Sequence, residues 1–279
     1  MTAAPVVATA SLHSVWDEVD GIRIHGRVSD RALTRERRAD VGSVAIRDVV
    51  FVHGLGMSTR YLEPTMRLLT GSFAVSGLDL PGFGESRLRG RTLALGELAR
   101  VLDAWMRVRG IASPILVGQS HGCQVVVECA ARAHASALVL NAPTMLAGHR
   151  SVLTQLGLVA RDTPREPLSL VPHVASAYLR AGPRRILATL TDALRDRLED
   201  KLPRIAVPTT IVCGQRDPVS PPAWSERLAR LTGLESGGSG ARFRPVEGAA
   251  HAVPFSHPAA LAEEIVAIAA RIRGTGPAS

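Results

Sequence analysis

Short apolar runs alternate with stretches of helical periodicity along most of the chain. Parallel strands that helices cover on both faces appear in a sequence as short, continuous apolar runs. Five such runs, most of which end in Gly, Asp or Asn, predict buried strands at Val49–His53, Phe73–Asp79, Ile115–Gly118, Ala137–Asn141 and Thr209–Gly214. Their alternation with helical stretches predicts an α/β fold with a mainly parallel sheet.

Two further regions extend the predicted sheet. Ser14–Val19 and Ile22–Val28 flank an Asp-Gly dipeptide, a strong hairpin signal, and therefore predict an antiparallel pair at one edge. Arg242–Val246 is predicted as the last strand. A proline followed by apolar residues at helical spacing predicts a final helix at Pro258–Arg273.

Residues 144–202 differ from the rest of the chain. Prolines interrupt their helical patches, and no apolar run among them predicts a strand. We interpret this segment as an inserted helical subdomain, with residues 1–143 and 203–279 forming one core. A single large domain with an insertion suits 279 residues better than two independent domains.

The composition is that of a folded globule. Hydrophobic residues make up 46% and charged residues 21%, which excludes a disordered chain. No apolar run reaches the ~20 residues of a membrane span, and no cationic segment precedes an apolar block at the start, so we expect neither a span nor a signal peptide. Cys123, Cys129 and Cys213 are odd in number and lack metal-ligand spacing, which favours a cytoplasmic protein without a disulfide framework.

The net charge of +8 is the feature most easily misread. Such an excess usually suggests an anionic partner, but Lys201 is the only lysine and the arginines are dispersed along the chain. We therefore expect a small-molecule substrate and no nucleic-acid partner. The expectation that remains is narrower: arginines of the 144–202 segment bias a substrate pocket toward acidic substrates. They are Arg150, Arg161, Arg165, Arg180, Arg184 and Arg185.

The strongest chemical signal is the pentapeptide GQSHG at residues 118–122. It follows a predicted strand and precedes a stretch of helical character, Cys123–His134. A serine between strand and helix, flanked by two glycines, is the pattern of a nucleophile elbow, because the turn is too tight for flanking side chains. The helix N-terminus also brings peptide N–H groups and a positive dipole end to Ser120.

A serine hydroxyl is a weak nucleophile and needs a base, which in turn needs an orienting acid. After a nucleophile elbow, the acid is expected first along the chain and the histidine last. Asp217 lies in a loop after a predicted strand, although a turn role ahead of a proline is the alternative. For the base we prefer His251 to His257, because His257 directly precedes a proline and suits a helix start.

A second glycine-rich turn, HGLG, begins at His53 and follows the first predicted parallel strand. Acyl transfer develops an oxyanion that backbone donors must stabilise. We predict that the amide N–H groups of Leu55 and His121 are those donors. The side chain of His53 is predicted to stabilise the turn, and Asp79 to fix loops rather than to react.

With these motifs the sequence resembles the alpha/beta hydrolase superfamily. FVHGLG, DLPGFGES, GQSHG, the aspartate of GQRDPVS and the histidine of GAAHAVPFSHP follow in that order, and the resemblance spans roughly residues 15–273. It implies a mostly parallel eight-stranded sheet flanked by helices, with residues 144–202 as a helical cap over the pocket. It also implies Ser120 as the nucleophile, His251 as the base and then the acid, and Asp217 as its partner. Where some relatives carry the acid one strand earlier, this chain has Asn141.

The identity of the nucleophile limits the types of reaction that the chain is expected to catalyse. Dehalogenases and epoxide hydrolases of this superfamily use aspartate at the elbow, so Ser120 indicates acyl transfer. We expect hydrolysis of a carboxylic ester or related acyl bond of a small, partly apolar substrate through an acyl-enzyme, with no metal or organic cofactor. Activity is expected to rise with pH through an apparent pKa near 7, as the histidine loses its proton. Carbon–carbon bond hydrolysis, cofactor-free perhydrolysis and a non-catalytic ligand receptor on the same fold remain open. The sequence does not indicate an oligomeric state.

Overall fold

The computed structural model describes residues 11–33, 47–132, 135–237 and 240–274. Within these ranges, eight strands form one sheet in the order β1-β2-β4-β3-β5-β6-β7-β8. The strands are β1 (Leu12–Val19), β2 (Ile22–Ser29), β3 (Asp48–Val52), β4 (Ala74–Leu78), β5 (Ile115–Gln119), β6 (Ala137–Asn141), β7 (Thr209–Gly214) and β8 (Arg242–Val246). β2 pairs antiparallel with β1 and β4, and every other neighbouring pair is parallel. The predicted mostly parallel sheet with an antiparallel edge is confirmed.

Helices cover the sheet and occupy the long connection between β6 and β7. Those of the described residues are α1 (Asp30–Leu33), α2 (Glu63–Leu69), α3 (Leu95–Val108), α4 (His121–Ala130), α5 (Val152–Asp162), α6 (Val171–Ala181), α7 (Pro183–Ala193), α8 (Leu198–Lys201), α9 (Pro222–Leu231), α10 (Val253–Ser256) and α11 (Pro258–Gly274). Residues 144–202, all of which are described, contain α5 to α8 and no strand. No helix in the described ranges is long and apolar enough to cross a membrane.

The hydrophobic core lies on both faces of the sheet. Successive side chains of a strand point to opposite faces. Val50 and Val52 of β3 accordingly lie in one apolar cluster with residues of α3 and α4, whereas Val49 and Phe51 lie in a second with residues of α2 and α11. Burial on both faces explains why β3 reads as a continuous apolar run. The three cysteines are buried and free.

The junction between β5 and α4 is the tightest turn near the cavity described below. Ser120 lies there with φ 55° and ψ −120°, a strained conformation for a residue with a side chain. A Cβ atom at Gly118 would lie 2.6 Å from the carbonyl oxygen of Gly122 and 2.7 Å from the backbone nitrogen of Cys123. One at Gly122 would overlap the carbonyl oxygen of Val52 on β3. Both glycines are therefore required by packing.

We predict that Gly118→Ala lowers the free energy of unfolding by about 3 kcal/mol, because the added methyl group collides with backbone that cannot move aside. Gly96→Ala is the matched control: Gly96 lies in α3, and its nearest neighbour would be 3.8 Å from the new Cβ. That change should stabilise the protein by up to about 1 kcal/mol through helix propensity. Urea unfolding measures both, and equal effects of the two substitutions would contradict the steric argument.

Candidate active site

Ser120 and His251 line the same cavity, which has a volume of about 520 Å³. Ser120 precedes α4, and His251 lies in the loop between β8 and α10. Asp217, in the loop after β7, lies behind His251, and its Oδ2 atom is 2.8 Å from Nδ1 of the histidine ring. The side chain of Asp217 has no solvent-exposed surface. The structure thus brings the three predicted residues together from three separate loops.

The two carboxylate oxygens of Asp217 have different hydrogen-bond partners. Oδ1 accepts hydrogen bonds from the backbone N–H groups of Val219 (2.7 Å) and Ser220 (2.9 Å), which close the turn that contains Pro218. Oδ2 remains for the ring of His251. The turn role and the histidine-partner role that the sequence offered as alternatives are therefore both present. An ionised carboxylate with this many donors is well suited to accept a hydrogen bond from Nδ1–H.

The charge around His251 favours its protonated form. Burial opposes a charged ring, but the Asp217 carboxylate outweighs burial through its charge and its hydrogen bond, and Asp162 and Glu166 add to its effect. Together they raise the pKa of His251 to about 9. This value lies above the expected pKa near 7, because three carboxyl groups face the ring, those of Asp217, Asp162 and Glu166.

Gln119 connects the nucleophile strand to the histidine loop. Its side-chain nitrogen donates to the backbone carbonyl of His251 (3.2 Å), and its side-chain oxygen accepts from the hydroxyl of Tyr61. These two hydrogen bonds join the residue before Ser120 to the histidine loop and to Tyr61. The competing His257 lies within 3.0 Å of the hydroxyl of Ser256 and does not line the cavity.

The two predicted oxyanion donors belong to residues that line the cavity. His121 is the first residue of α4, so its amide N–H has no acceptor within the helix. Leu55 lies within the turn that the amide of Met57 closes by donating to the carbonyl of Gly54 (3.1 Å). Both amides therefore belong to backbone that is held by the fold rather than by their own side chains.

His53 holds the Leu55 turn in place. Its Nε2 atom accepts from the amide of Leu80 (2.9 Å), so Nδ1 carries the proton and donates to the carbonyl of Gly54 (2.8 Å). Burial lowers the pKa of His53 and keeps the ring neutral. The geometry agrees with the predicted turn-stabilising role.

Asp79 fixes the loops beside this turn, as expected. Its Oδ1 atom accepts from the amide (2.7 Å) and hydroxyl (2.8 Å) of Thr59, and Oδ2 accepts from the amide of Glu85 (2.9 Å) and lies 2.8 Å from Nδ1 of His25. Burial alone would raise the pKa of this carboxyl, but these donors outweigh burial and lower it. Asp79 does not line the cavity that contains Ser120.

The cavity wall opposite the sheet comes from the 144–202 segment and is mainly apolar. Its aliphatic lining from α5, α6 and α7 is Leu156, Val159, Val171, Val174, Ala175, Ile186 and Leu190. None of the six arginines named above lines the cavity. Arg150 instead pairs with Glu199 (2.6 Å), and Arg180 pairs with Glu85 (2.5 Å). The expected bias toward acidic substrates is therefore wrong, because none of these arginines faces the cavity.

Two acidic residues that the sequence analysis missed line the cavity in their place. Asp162 ends α5, and Glu166 follows four residues later. Asp162 is 7% exposed, and burial raises its pKa to about 7. The sequence carried no signal for them, since acidic side chains in a helical segment are usually solvated. Among the described residues, no group of three or more His, Cys, Asp or Glu could hold a metal ion.

Comparisons with known proteins agree with the fold. The model of the alpha/beta hydrolase family matches residues 49–264. The chain is 26% identical over 265 residues to a pimeloyl-[acyl-carrier protein] methyl ester esterase of Neisseria meningitidis serogroup B (strain H44/76), covering 82% of this chain and 95% of the relative.

Solved structures of low sequence identity share the architecture. A thermophilic esterase from Thermogutta terrifontis superposes with a TM-score of 0.72 at 20% identity, over 93% of this chain and 99% of that one. The enol-lactonase from Burkholderia xenovorans LB400 gives a TM-score of 0.66 at 18% identity, over 92% of this chain and 100% of that one. At these identities the likeness concerns the fold alone.

We predict that the ring of His251 titrates near pH 9, well above its ordinary value of 6.5. In Asp217→Asn the pKa should fall, because the amide removes the carboxylate that stabilises the charged ring. NMR titration of the histidine ring signals measures this, with His251→Gln identifying the signal. A wild-type midpoint near 6.5 would contradict the electrostatic argument.

Proposed function

This chain belongs to the alpha/beta hydrolase family, and on that premise we propose that it hydrolyses a carboxylic ester of a small, partly apolar substrate through an acyl-enzyme on Ser120. One observation carries the proposal: a strained serine and a histidine bonded to a buried aspartate line the same apolar cavity. The pimeloyl-[acyl-carrier protein] methyl ester esterase of Neisseria meningitidis, which is 26% identical to this chain, supports the reaction class.

In the proposed acylation step, the Oγ atom of Ser120 attacks the ester carbonyl carbon. His251 takes the serine proton at Nε2, because its Nδ1–H is occupied by the carboxylate of Asp217. The carbonyl oxygen becomes an oxyanion, which the amides of Leu55 and His121 and the N-terminus of α4 stabilise. The imidazolium of His251 then gives its proton to the leaving alcohol as the C–O bond breaks.

Deacylation repeats these steps with water as the nucleophile. His251 removes a proton from water, the hydroxide oxygen attacks the acyl carbon, and the same proton returns to Oγ of Ser120 as the acid product leaves. A pKa of about 9 makes His251 a strong proton acceptor but leaves little of it neutral at pH 7. The free enzyme is therefore expected to be more active in alkaline solution.

The division of the chain belongs to the same proposal. Residues 1–143 and 203–279 form the core that supplies Ser120, Asp217 and His251, and residues 144–202 act as a cap that supplies the apolar wall. A cavity of about 520 Å³ with this lining suits a mid-sized ester.

We predict that Ser120→Ala lowers kcat for 4-nitrophenyl butyrate by at least about 10⁴-fold and abolishes labelling by a fluorophosphonate, because the Oγ atom of Ser120 is the group that forms the acyl-enzyme. A labelled wild type and an unlabelled variant are the expected results. A wild type that is neither labelled nor active, yet is stabilised by a small apolar ligand, would favour the receptor alternative.

We predict that Asp217→Asn lowers kcat by about 10⁴-fold through loss of the correct histidine tautomer. His257→Ala is the matched control and should leave kcat within about twofold, because His257 contacts Ser256 and lies outside the cavity. Steady-state kinetics at pH 8.5 test both changes. Near-full activity of His251→Ala combined with loss in His257→Ala would overturn the assignment of the base.

A further inference from the structure

The acidic pair of Asp162 and Glu166 is not used in the proposed reaction. Both residues come from the 144–202 segment and lie on the side of the cavity that contains His251. No lysine or arginine is among the described residues that line the cavity. A cavity with two carboxyl groups and no side chain of fixed positive charge is the opposite of what the net charge of +8 suggests.

Each carboxyl group contacts the histidine loop and leaves one oxygen without a partner. Oε1 of Glu166 accepts the amide of Ala252 at 2.6 Å, and the backbone N–H of His251 is near enough to the Asp162 carboxyl to act on its pKa. The buried Oδ1 atom of Asp162 and Oε2 atom of Glu166 have no hydrogen-bond partner. Because Asp162 is more than nine-tenths buried, bulk water does not supply the hydrogen bond that its Oδ1 atom lacks.

The position of the pair makes its negative charge costly. Asp162 ends α5, where the helix dipole is negative and cations are favoured. Arg165 lies on the same segment, but its side chain donates to the carbonyl of Arg161. Asp162 faces Glu166, Asp217 and His251, and Glu166 also faces His251. When His251 loses its proton to act as a base, three carboxyl groups remain there without a cation.

We propose that Asp162 and Glu166 form a binding subsite for a positively charged group on the alcohol portion of the substrate. The inference rests on the proposed function, in which His251 protonates the leaving alcohol. The alcohol must therefore lie beside His251, which is where the two carboxyl groups are. A quaternary or primary ammonium group there restores the missing charge, whereas a carboxylate in the same place is repelled.

Three butyrate esters whose alcohols are positively charged, uncharged and negatively charged test this subsite. They are butyrylcholine, its uncharged isostere 3,3-dimethylbutyl butyrate, and the butyrate ester of 4-hydroxybutanoic acid, which carries a carboxylate. Titration of released acid at pH 8.5, above the pKa of about 7 of Asp162, gives kcat/KM for each. We expect kcat/KM to be about tenfold higher for the choline ester than for its isostere, and higher for the isostere than for the anionic ester.

Substitutions assign the preference to the two residues. Asp162→Asn and Glu166→Gln should each lower the ratio of choline ester to isostere, and the double variant should bring it to about one. Glu263→Gln removes the same charge from an exposed position of α11 and should leave the ratio unchanged. An equal or inverted wild-type ratio overturns the proposal, as does a tenfold ratio that persists in the double variant.

Binding of choline itself separates this inference from the proposed function. Choline should raise the Tm of the wild type but not of Asp162→Asn, and 3,3-dimethylbutanol should raise neither. Turnover of the neutral ester without a choline preference or Tm shift overturns the subsite and leaves the hydrolase intact. Absence of all turnover with the choline Tm shift present overturns the hydrolase and retains the subsite.

Discussion

The close approach of α4 to strands β3 and β5 is the constraint on which the site depends. It leaves no room for a side chain at residues 118 and 122, and it forces Ser120 into a conformation that few residues with side chains adopt. The strain is balanced by burial on both faces of the strands, because the core holds β3 and β5 in place regardless of the turn between β5 and α4. As a result of this turn, Ser120 and the N-terminus of α4 both face the cavity.

Three buried aspartates show how hydrogen bonding decides what a carboxyl group does. Asp79 has donors on both oxygens, and the pKa of its carboxyl is lowered, so it joins loops as a fixed charge. In Asp217, one oxygen accepts hydrogen bonds within its own turn and the other faces the ring of His251. Asp162 has one oxygen with no partner, and the pKa of its carboxyl rises to about 7. Asp79 and Asp162 are both buried, so the donors and the neighbouring charges set the difference between their pKa values.

Sequence patterns predicted the parts of the fold that burial determines. β6, β7 and β8 begin and end at the predicted residues, and the shifts at β3 and β4 are of one residue. Neither α2 nor α3 was predicted: the seven residues of α2 are too few for a periodicity, whereas α3 does carry apolar residues at helical spacing. Local motifs suffice to predict Ser120, Asp217 and His251 as candidate site residues. The contacts of Asp162 and Glu166 with the histidine loop instead depend on how a segment distant in sequence packs. No pattern within the segment shows which of its charged residues faces inward.

The same packing explains why the net charge and the charge of the cavity have opposite signs. Exposed arginines such as Arg107 and Arg230 pair with acidic residues one helical turn away, and salt screens their remaining field within about 8 Å. The carboxyl groups of Asp162 and Glu166 lie where little water screens them, so two charges there outweigh many on the surface. A ligand in the cavity therefore experiences the local pair rather than the sum over the chain. For an enzyme with a buried site, the sign of the charge that lines the cavity bears on the substrate, and the sign of the whole chain does not.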